Sequence, residues 1–366
     1  MAFATLILAA ARRPPDPPAV LHVVGRVTES VFSLLGPLTH SLQRTGVRQT
    51  VVLVDAPELG PQLARFDDAV RVVAIATARP AWRHWHALRG AVRDQLRQTP
   101  PTTVHFHGLK PWLVAADLAR AAEIPVCLSP HGTHWFRRVA LRLGRAQGDV
   151  AVTMDGTDRA DPTDAAQRHV DGAVEESFFQ VERREARRAL VVAGSHRDNR
   201  KAIELFSRVA VVCGAAELDL AFNWFGPLSG AAAEQLQAAG VGTWPALADP
   251  SLASRLAAGW VFVACGGERD FPVLLAQAMA VGLPCLVADR DAYRALVRDG
   301  YTGLVYRDET HALELLTMLL DDAALRERLG AAARDEARQR FTARRLADQL
   351  APLYLADHAA RQRAVA

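Results

Sequence analysis

The sequence predicts an α/β protein built from two doubly wound, Rossmann-like halves that face one another across a cleft. Short β-rich apolar runs alternate with longer helical patterns, which implies βαβ units and parallel sheets. The alternation breaks at a polar stretch rich in turn formers, 155–179, and resumes at 189. A chain of 366 residues also suits two cores of roughly 100–200 residues better than one.

In the first half the strands are AVLHVVG (19–25), QTVVLVD (49–55), TTVHFHG (102–108), PVCLSPHG (125–132) and DVAVTM (149–154). Helical patterns separate them at 30–46, 83–98 and 112–124. The second half runs through ALVVAG (189–194), a helix at 201–213, LAFNWFG (220–226), GWVFVACGG (259–267) and LPCLVAD (283–289). Two strong helices, 310–322 and 323–341, follow. The expected division is an N-terminal extension to 18, a first domain over 19–185, a second over 186–340, and a C-terminal helix over 341–366 that crosses back to the first.

Half of the residues are hydrophobic and 23% are charged, a globular composition rather than a disordered one. The opening MAFATLILAAARR is apolar for 11 residues, against about 20 for a spanning helix, and its charge follows the apolar run instead of preceding it. It therefore reads as an extension, not as an anchor or export signal. Cys127, Cys213, Cys265 and Cys285 are far apart, form no C-x-x-C pair and lie mostly in apolar, strand-like runs, as reduced core thiols of a cytoplasmic protein would.

The net charge of +3 is unevenly placed. Residues 1–150 carry 18 Lys and Arg against 10 Asp and Glu, a balance of +8, and the remainder carries 25 against 30, a balance of −5. The basic half suits an anionic surface such as a membrane, a phosphorylated lipid or nucleic acid. Two aromatic-basic helices sharpen this. RHWHALRGAVRDQLR sets Trp85, Leu88, Val92 and Leu96 on one face with Arg89, Arg93 and Arg97 beside them, and WFRRVALRLGR repeats the pattern. Each reads either as a lipid-surface helix or as an amphipathic helix packed on a sheet.

In open parallel sheets ligands bind beyond the carboxyl ends of the strands, so the residues just after each strand are the candidates. HFHG puts His107 and Gly108 at one strand end, and SPHG puts His131 and Gly132 at the next. These form a polar cluster facing the cleft, or histidines satisfied by backbone; an H-x-H zinc pair that His134 could join lacks flanking Cys or Asp, and no metal is expected. GSHRDNRK (194–201) joins a strand to a helix and gathers Arg197, Arg200 and Lys201 where helix N-termini attract anions. A solvated basic loop is the alternative. In CGGERDFPVLLAQAMAVGLPC (265–285), Pro272 marks the first helical position and Gly282 lies past the helix end. Gln277 leans back toward the free amides of the first turn, and Glu268, Arg269 and Asp270 precede it, Asp270 as a candidate cap. The run Asp155, Asp158, Asp161, Asp164 lacks the alternating ligands and Gly of a calcium loop and reads as linker.

Together these pieces resemble glycosyltransferase family 4, retaining sugar transferases of the GT-B fold. The resemblance is clearest over FVACGGERDFPVLLAQAMAVGLPCLVADRDAYRALVRDGYTGLVY (262–306) and the helices after it, and looser over HFHG, SPHG and the VDG…FF stretch. It implies a metal-independent enzyme that takes a UDP- or GDP-linked sugar as substrate, needs no cofactor, and acts in bacterial surface polysaccharide or glycoconjugate assembly. The implied acceptor is a glycan or a lipid-linked glycan, and the implied place is the cytoplasm, peripheral on the inner face of the membrane, with no nucleic acid partner. In the register set by Phe271 and Ala278-Met279-Ala280, the family's Glu-x7-Glu pair falls on Arg269 and Gln277. Its lysine falls on Lys201, its arginine on Ser195, and its first Gly-Gly loop near Glu29 and Ser30.

The departures read as exchanges. Glu268 or Asp270 would accept from sugar hydroxyls, Arg269 with Arg197 would supply the phosphate charge that Ser195 lacks, and Gln277 would bond the ribose. The resemblance implies that His131 contacts the transferred sugar and that Lys201 stabilises the leaving diphosphate. Glu29 is the candidate base of an inverting variant. Trp244 falls where relatives place the nucleobase, and reads either as a stacking platform or as core. Two other readings stand beside transfer: a non-catalytic GT-B protein that binds a glycan, a nucleotide or a partner enzyme, and a sugar-nucleotide epimerase of the same fold.

Overall fold

The structure is a computed structural model, and it describes residues 17–26, 29–55, 66, 68–76, 82–130, 134–153, 167–195, 199–216, 218–244, 251–266 and 271–365. The first sheet uses β1 (Ala19–Arg26), β2 (Arg48–Asp55), β3 (Arg71–Ala76), β4 (Thr103–His107), β5 (Val126–Ser129), β6 (Val150–Thr153) and β7 (Gln167–His169). The helices among them are α1 (Glu29–Gln43), α2 (Trp82–Gln98), α3 (Leu109–Ala121) and α4 (His134–Ala146). After α5 (Glu176–Gln180), the second sheet uses β8 (Ala189–Gly194), β9 (Leu220–Phe225), β10 (Val241–Trp244), β11 (Val261–Ala264), β12 (Cys285–Ala288) and β13 (Gly303–Tyr306). Its helices are α6 (Arg200–Ala215), α7 (Gly230–Ala238), α8 (Leu252–Ala257), α9 (Val273–Ala280), α10 (Asp291–Arg294), α11 (Glu309–Asp321) and α12 (Ala323–Arg340), and α13 (Ala343–Val365) ends the chain.

Strand order is 3-2-1-4-5-6-7 in the first sheet and 10-9-8-11-12-13 in the second, so both halves wind outward from a central strand in the same sequence. The named strand pairs are parallel. Each sheet therefore has a switch point where the order reverses, between β1 and β4 and between β8 and β11, and that is where an open α/β sheet binds ligands.

Four strands, β3, β7, β10 and the four-residue β13, were not expected from the sequence. β3 is an edge strand whose apolar residues are only partly buried, and β7 and β10 have three and four residues, too short for an alternation to show. The polar crossing thus contains β7 and α5, whereas 154–166 lies outside the described residues and takes the Asp155 run with it. Cys213 sits on α6, where the helical pattern over 201–213 places it. Pro272 is the cap that precedes α9 rather than its first helical residue. Its φ of −78° suits the proline ring, but its ψ of 76° is not helical.

All eight residues of α9 are buried, Gln277 among seven apolar ones, as a helix apolar on nearly every face requires. Helix α2 buries Leu88 and Val92 in the core of the first sheet and exposes Arg83, Arg93 and Arg97. Its Arg89 is joined by two 2.6 Å bonds to Asp117 of α3, so that one of the basic residues is taken up by a neighbouring helix. No helix among the described residues is long and apolar enough to cross a membrane.

Among the described residues, the segment between the sheets is tied to the junction of α12 and α13. Val174 bridges to Thr342, its amide donating to the Phe341 carbonyl at 2.7 Å. Asp171, of the VDG stretch, accepts from Nε and Nη2 of Arg340 at 3.1 and 3.0 Å. Beyond this point α13 packs Leu346, Leu350 and Tyr354 with Leu38 and Leu42 of α1 and with Val20 of β1.

Candidate active site at the second switch point

The carboxyl ends of β8, β9 and β11 are held so closely that only glycine fits there. A Cβ on Gly194 would lie 2.2 Å from the Phe225 carbonyl oxygen and 2.4 Å from Leu274 of α9. Gly226 has φ +127°, and a Cβ on it would lie 1.9 Å from the Ser195 carbonyl oxygen. The Ser195 amide donates to Phe225 at 3.0 Å, and the Gly226 amide donates to Trp244 at 2.9 Å. The loop that follows Ser195 therefore leaves the sheet from a clamped origin.

That loop returns at Asn199, which caps α6 by accepting from the Ala202 amide. Asn199 also lies against β11: a Cβ on Gly266 would sit 2.2 Å from the Asn199 side-chain nitrogen. The contact spans the β8/β11 switch point. It brings the first turn of α6, with Arg200 and Lys201, next to the point where residues 267–270 leave the sheet. The first turn of α6 carries no acid, and both cations are exposed on it. Arg200 bonds Glu204 one turn on at 2.7 Å.

On the far side of 267–270 the chain re-enters at Phe271. Its ring packs edge-on against Phe341 with centroids 5.5 Å apart, and it lies under Gly172, where a Cβ would be 2.3 Å from the ring. The linker, the candidate donor loop and the end of α12 thus meet at one phenylalanine. Pro272 is buried beside it, and Gln277, one turn into α9, is 6% exposed. The Oε1 atom of Gln277 is buried and has no hydrogen-bond partner in the structure. An unsatisfied buried acceptor costs about 1–3 kcal/mol, which a donor hydroxyl would relieve.

Trp244 ends β10, and its side chain is neither core nor free. It is 37% exposed, and the Arg255 guanidinium lies over the ring at 3.8 Å. The four cysteines are free. Cys265 follows β11 directly, but burial pushes its thiol up to about 12, so it is not a nucleophile at neutral pH.

At the first switch point Gly108 adopts φ +114°, and its amide donates to the Ser129 carbonyl at 2.8 Å. Of the two readings of His107, a cleft residue or a satisfied histidine, the structure gives a buried imidazole, 3% exposed, turned to other side chains. There its Nε2 lies 3.2 Å from Nδ1 of His22 on β1. Glu29 begins α1, and its side chain lies outside what is described. His131, Arg197, Glu268, Arg269 and Asp270 also lie outside the described residues.

Sequence reasoning missed Asn199, Gly266, Gly172, Phe341 and His22. Only Gly226, a glycine directly after a strand, carried a local signal. The others act through contacts between residues far apart in the chain.

Residues 187–322, the segment that holds this switch point, match the family described as glycosyl transferases group 1. Residues 187–322 are therefore similar to a group 1 glycosyltransferase domain, in a chain of GT-B fold. A stretch of 76 residues is 42% identical to the phosphatidyl-myo-inositol mannosyltransferase of Mycobacterium leprae, and the chain spans about a fifth of that relative's length. The GT-B architecture extends over nearly the whole chain. Sucrose-phosphate synthase from Thermosynechococcus elongatus superposes with a TM-score of 0.76 at 14% identity, over 94% of this chain and 100% of that one. Anabaena HepE, solved in complex with UDP and glucose, superposes with a TM-score of 0.71 at 13% identity, over 91% and 98%.

Proposed function

We propose that this chain is a retaining, metal-independent glycosyltransferase that moves a sugar from a UDP- or GDP-linked donor to a glycan or lipid-linked acceptor. The observation that carries the reading is the Asn199–Gly266 contact, which sets the basic first turn of α6 beside the origin of 267–270. A diphosphate at this switch point would meet the α6 amides and Lys201, with Arg197, Arg200 and Arg269 as further cations. The cations act electrostatically on the leaving group, so the chemistry needs no metal. Glu268 or Asp270 would accept from sugar hydroxyls beside Phe271 and Pro272, and a ribose hydroxyl would donate to the orphan Gln277 oxygen. Ser195 contributes backbone rather than charge. Trp244 would stack the base on the ring face opposite Arg255.

His131 is assigned to the transferred sugar, and the acceptor side to Gly108 with His107 beneath it. Glu29 is the base only if the reaction inverts. The basic first half, with Arg93 and Arg97 exposed on α2, supports an acceptor at an anionic membrane surface, and with it a place in bacterial surface polysaccharide assembly.

A donor-hydrolysis panel of UDP-, GDP- and ADP-sugars tests the reading. Nucleotide release is expected with one donor class and should fall by at least about tenfold in Lys201→Ala, the loss of one charge-assisted contact of about 1.5–3 kcal/mol. If no nucleotide binds, the chain is instead a non-catalytic GT-B binding protein. Arg269→Ala should weaken donor affinity, and unchanged affinity removes Arg269 from the phosphate site. Once an acceptor is in hand, the anomeric configuration of the product by NMR is expected to match the donor's; inversion would transfer the base role to Glu29.

A further inference from the structure

His107, which lies beneath the acceptor side, belongs to a buried cluster whose other members the transfer reaction does not use. Register pairs His22 of β1 with His105 of β4, and His107 lies two residues on along the same face. The three imidazoles are buried, with ring centroids 4.2 Å apart for His105 and His107 and 5.4 Å for His22 and His107. One ligand nitrogen from each lies within 4.8 Å of the others. Helix α13 closes the cluster from above: the Tyr354 hydroxyl is 2.7 Å from His105 Nδ1. His105 Nε2 is 2.8 Å from the Ser129 hydroxyl.

We propose that His22, His105, His107 and Tyr354 bind one zinc-type divalent ion that ties β1 and β4 to the C-terminal helix. Zinc–nitrogen bonds of about 2.0–2.1 Å in a tetrahedron put neighbouring ligand atoms about 3.3 Å apart. The His22 Nδ1 to His107 Nε2 distance is 3.2 Å. The Ser129 hydroxyl on the far nitrogen of His105 is the orienting partner that metal-bound histidines ordinarily have. His22 is wholly buried, and the Gln49 side chain beside it is a further orienting partner for its ring. Binding breaks the Tyr354 O–H bond and forms an oxygen–metal bond; the proton passes to water, and the phenolate offsets part of the ion's charge. The set of nitrogen and oxygen donors without thiolate suits zinc over softer ions. The site is structural and stands apart from the donor site, so it does not depend on the activity proposed above.

The test uses the full chain with any affinity tag removed, stripped by chelator and then titrated with Zn²⁺ or Co²⁺. One equivalent per chain is expected, together with the visible ligand-field bands of tetrahedral cobalt and a rise in Tm with zinc. His22→Gln should lose the bound equivalent, whereas His86→Ala, at an exposed histidine of α2, should keep it. A wild-type chain that binds no ion at micromolar zinc, or a His22→Gln chain that binds as before, overturns the proposal. If His22→Gln does not fold, X-ray absorption of the zinc-loaded wild type decides. An imidazole-rich nitrogen and oxygen shell supports the site, and a sulfur or all-water shell rejects it.

Discussion

Gly226→Ala is expected to lose about 3–5 kcal/mol of stability and to abolish nucleotide binding in whatever fraction still folds. Two costs combine. A φ of +127° lies where side-chain-bearing residues are strained, and the new methyl would stand 1.9 Å from the Ser195 carbonyl oxygen. Neither can relax separately, because the Gly226 amide is bonded to Trp244 and the Ser195 amide to Phe225. Moving one strand end moves the origin of the loop that carries Arg197. Urea denaturation of the full chain measures the first effect and nucleotide titration the second. A loss under about 1 kcal/mol would mean that the close approach of Gly226 and Ser195 is not real.

Gly172→Ala should act on the same site from the linker. Its methyl would meet Phe271 at 2.3 Å, and Phe271 already rests on Phe341, so the ring has to shift. Overpacking of this kind costs about 1–3 kcal/mol, and the displaced ring lies one residue beyond 267–270. Donor affinity should therefore fall by about tenfold or more, the equivalent of about 1.4 kcal/mol. The diagnostic is rescue. Phe271→Leu alone should lose stability by leaving a cavity, but Gly172→Ala with Phe271→Leu should recover much of the loss, because the methyl fills the space the ring vacated. Strict additivity in the double variant would show that the two residues do not touch.

Both variants touch glycines that composition cannot rank. The chain has 24 glycines, and nothing in their local sequence separates Gly172 or Gly266 from a glycine of an open turn. What separates them is the atom that a Cβ would strike, which belongs to a residue about seventy to a hundred positions away. His107 shows the same limit in another form. A histidine at a strand's carboxyl end reads as a cleft residue, yet a strand's side chains alternate between faces, and its face here carries His22 and Tyr354. No local pattern identifies a partner from β1 and a partner from the last helix together.

By itself the sequence determined the class of fold, because the spacing of apolar runs decides which segments must bury a face, and that spacing is local. It also carried the resemblance to a glycosyltransferase family over 262–306, since the framework of a buried strand, Pro272 and a mostly apolar helix is contiguous. Tertiary structure alone decided which polar residues meet. It set Asn199 on Gly266 across a switch point, left the Gln277 oxygen buried and partnerless, and turned His107 away from the cleft to His22. The reason is physical. Apolar burial is non-directional and survives as a pattern along the chain, whereas hydrogen bonds and close approaches depend on distances of a few tenths of an ångström between elements that only the folded chain brings together.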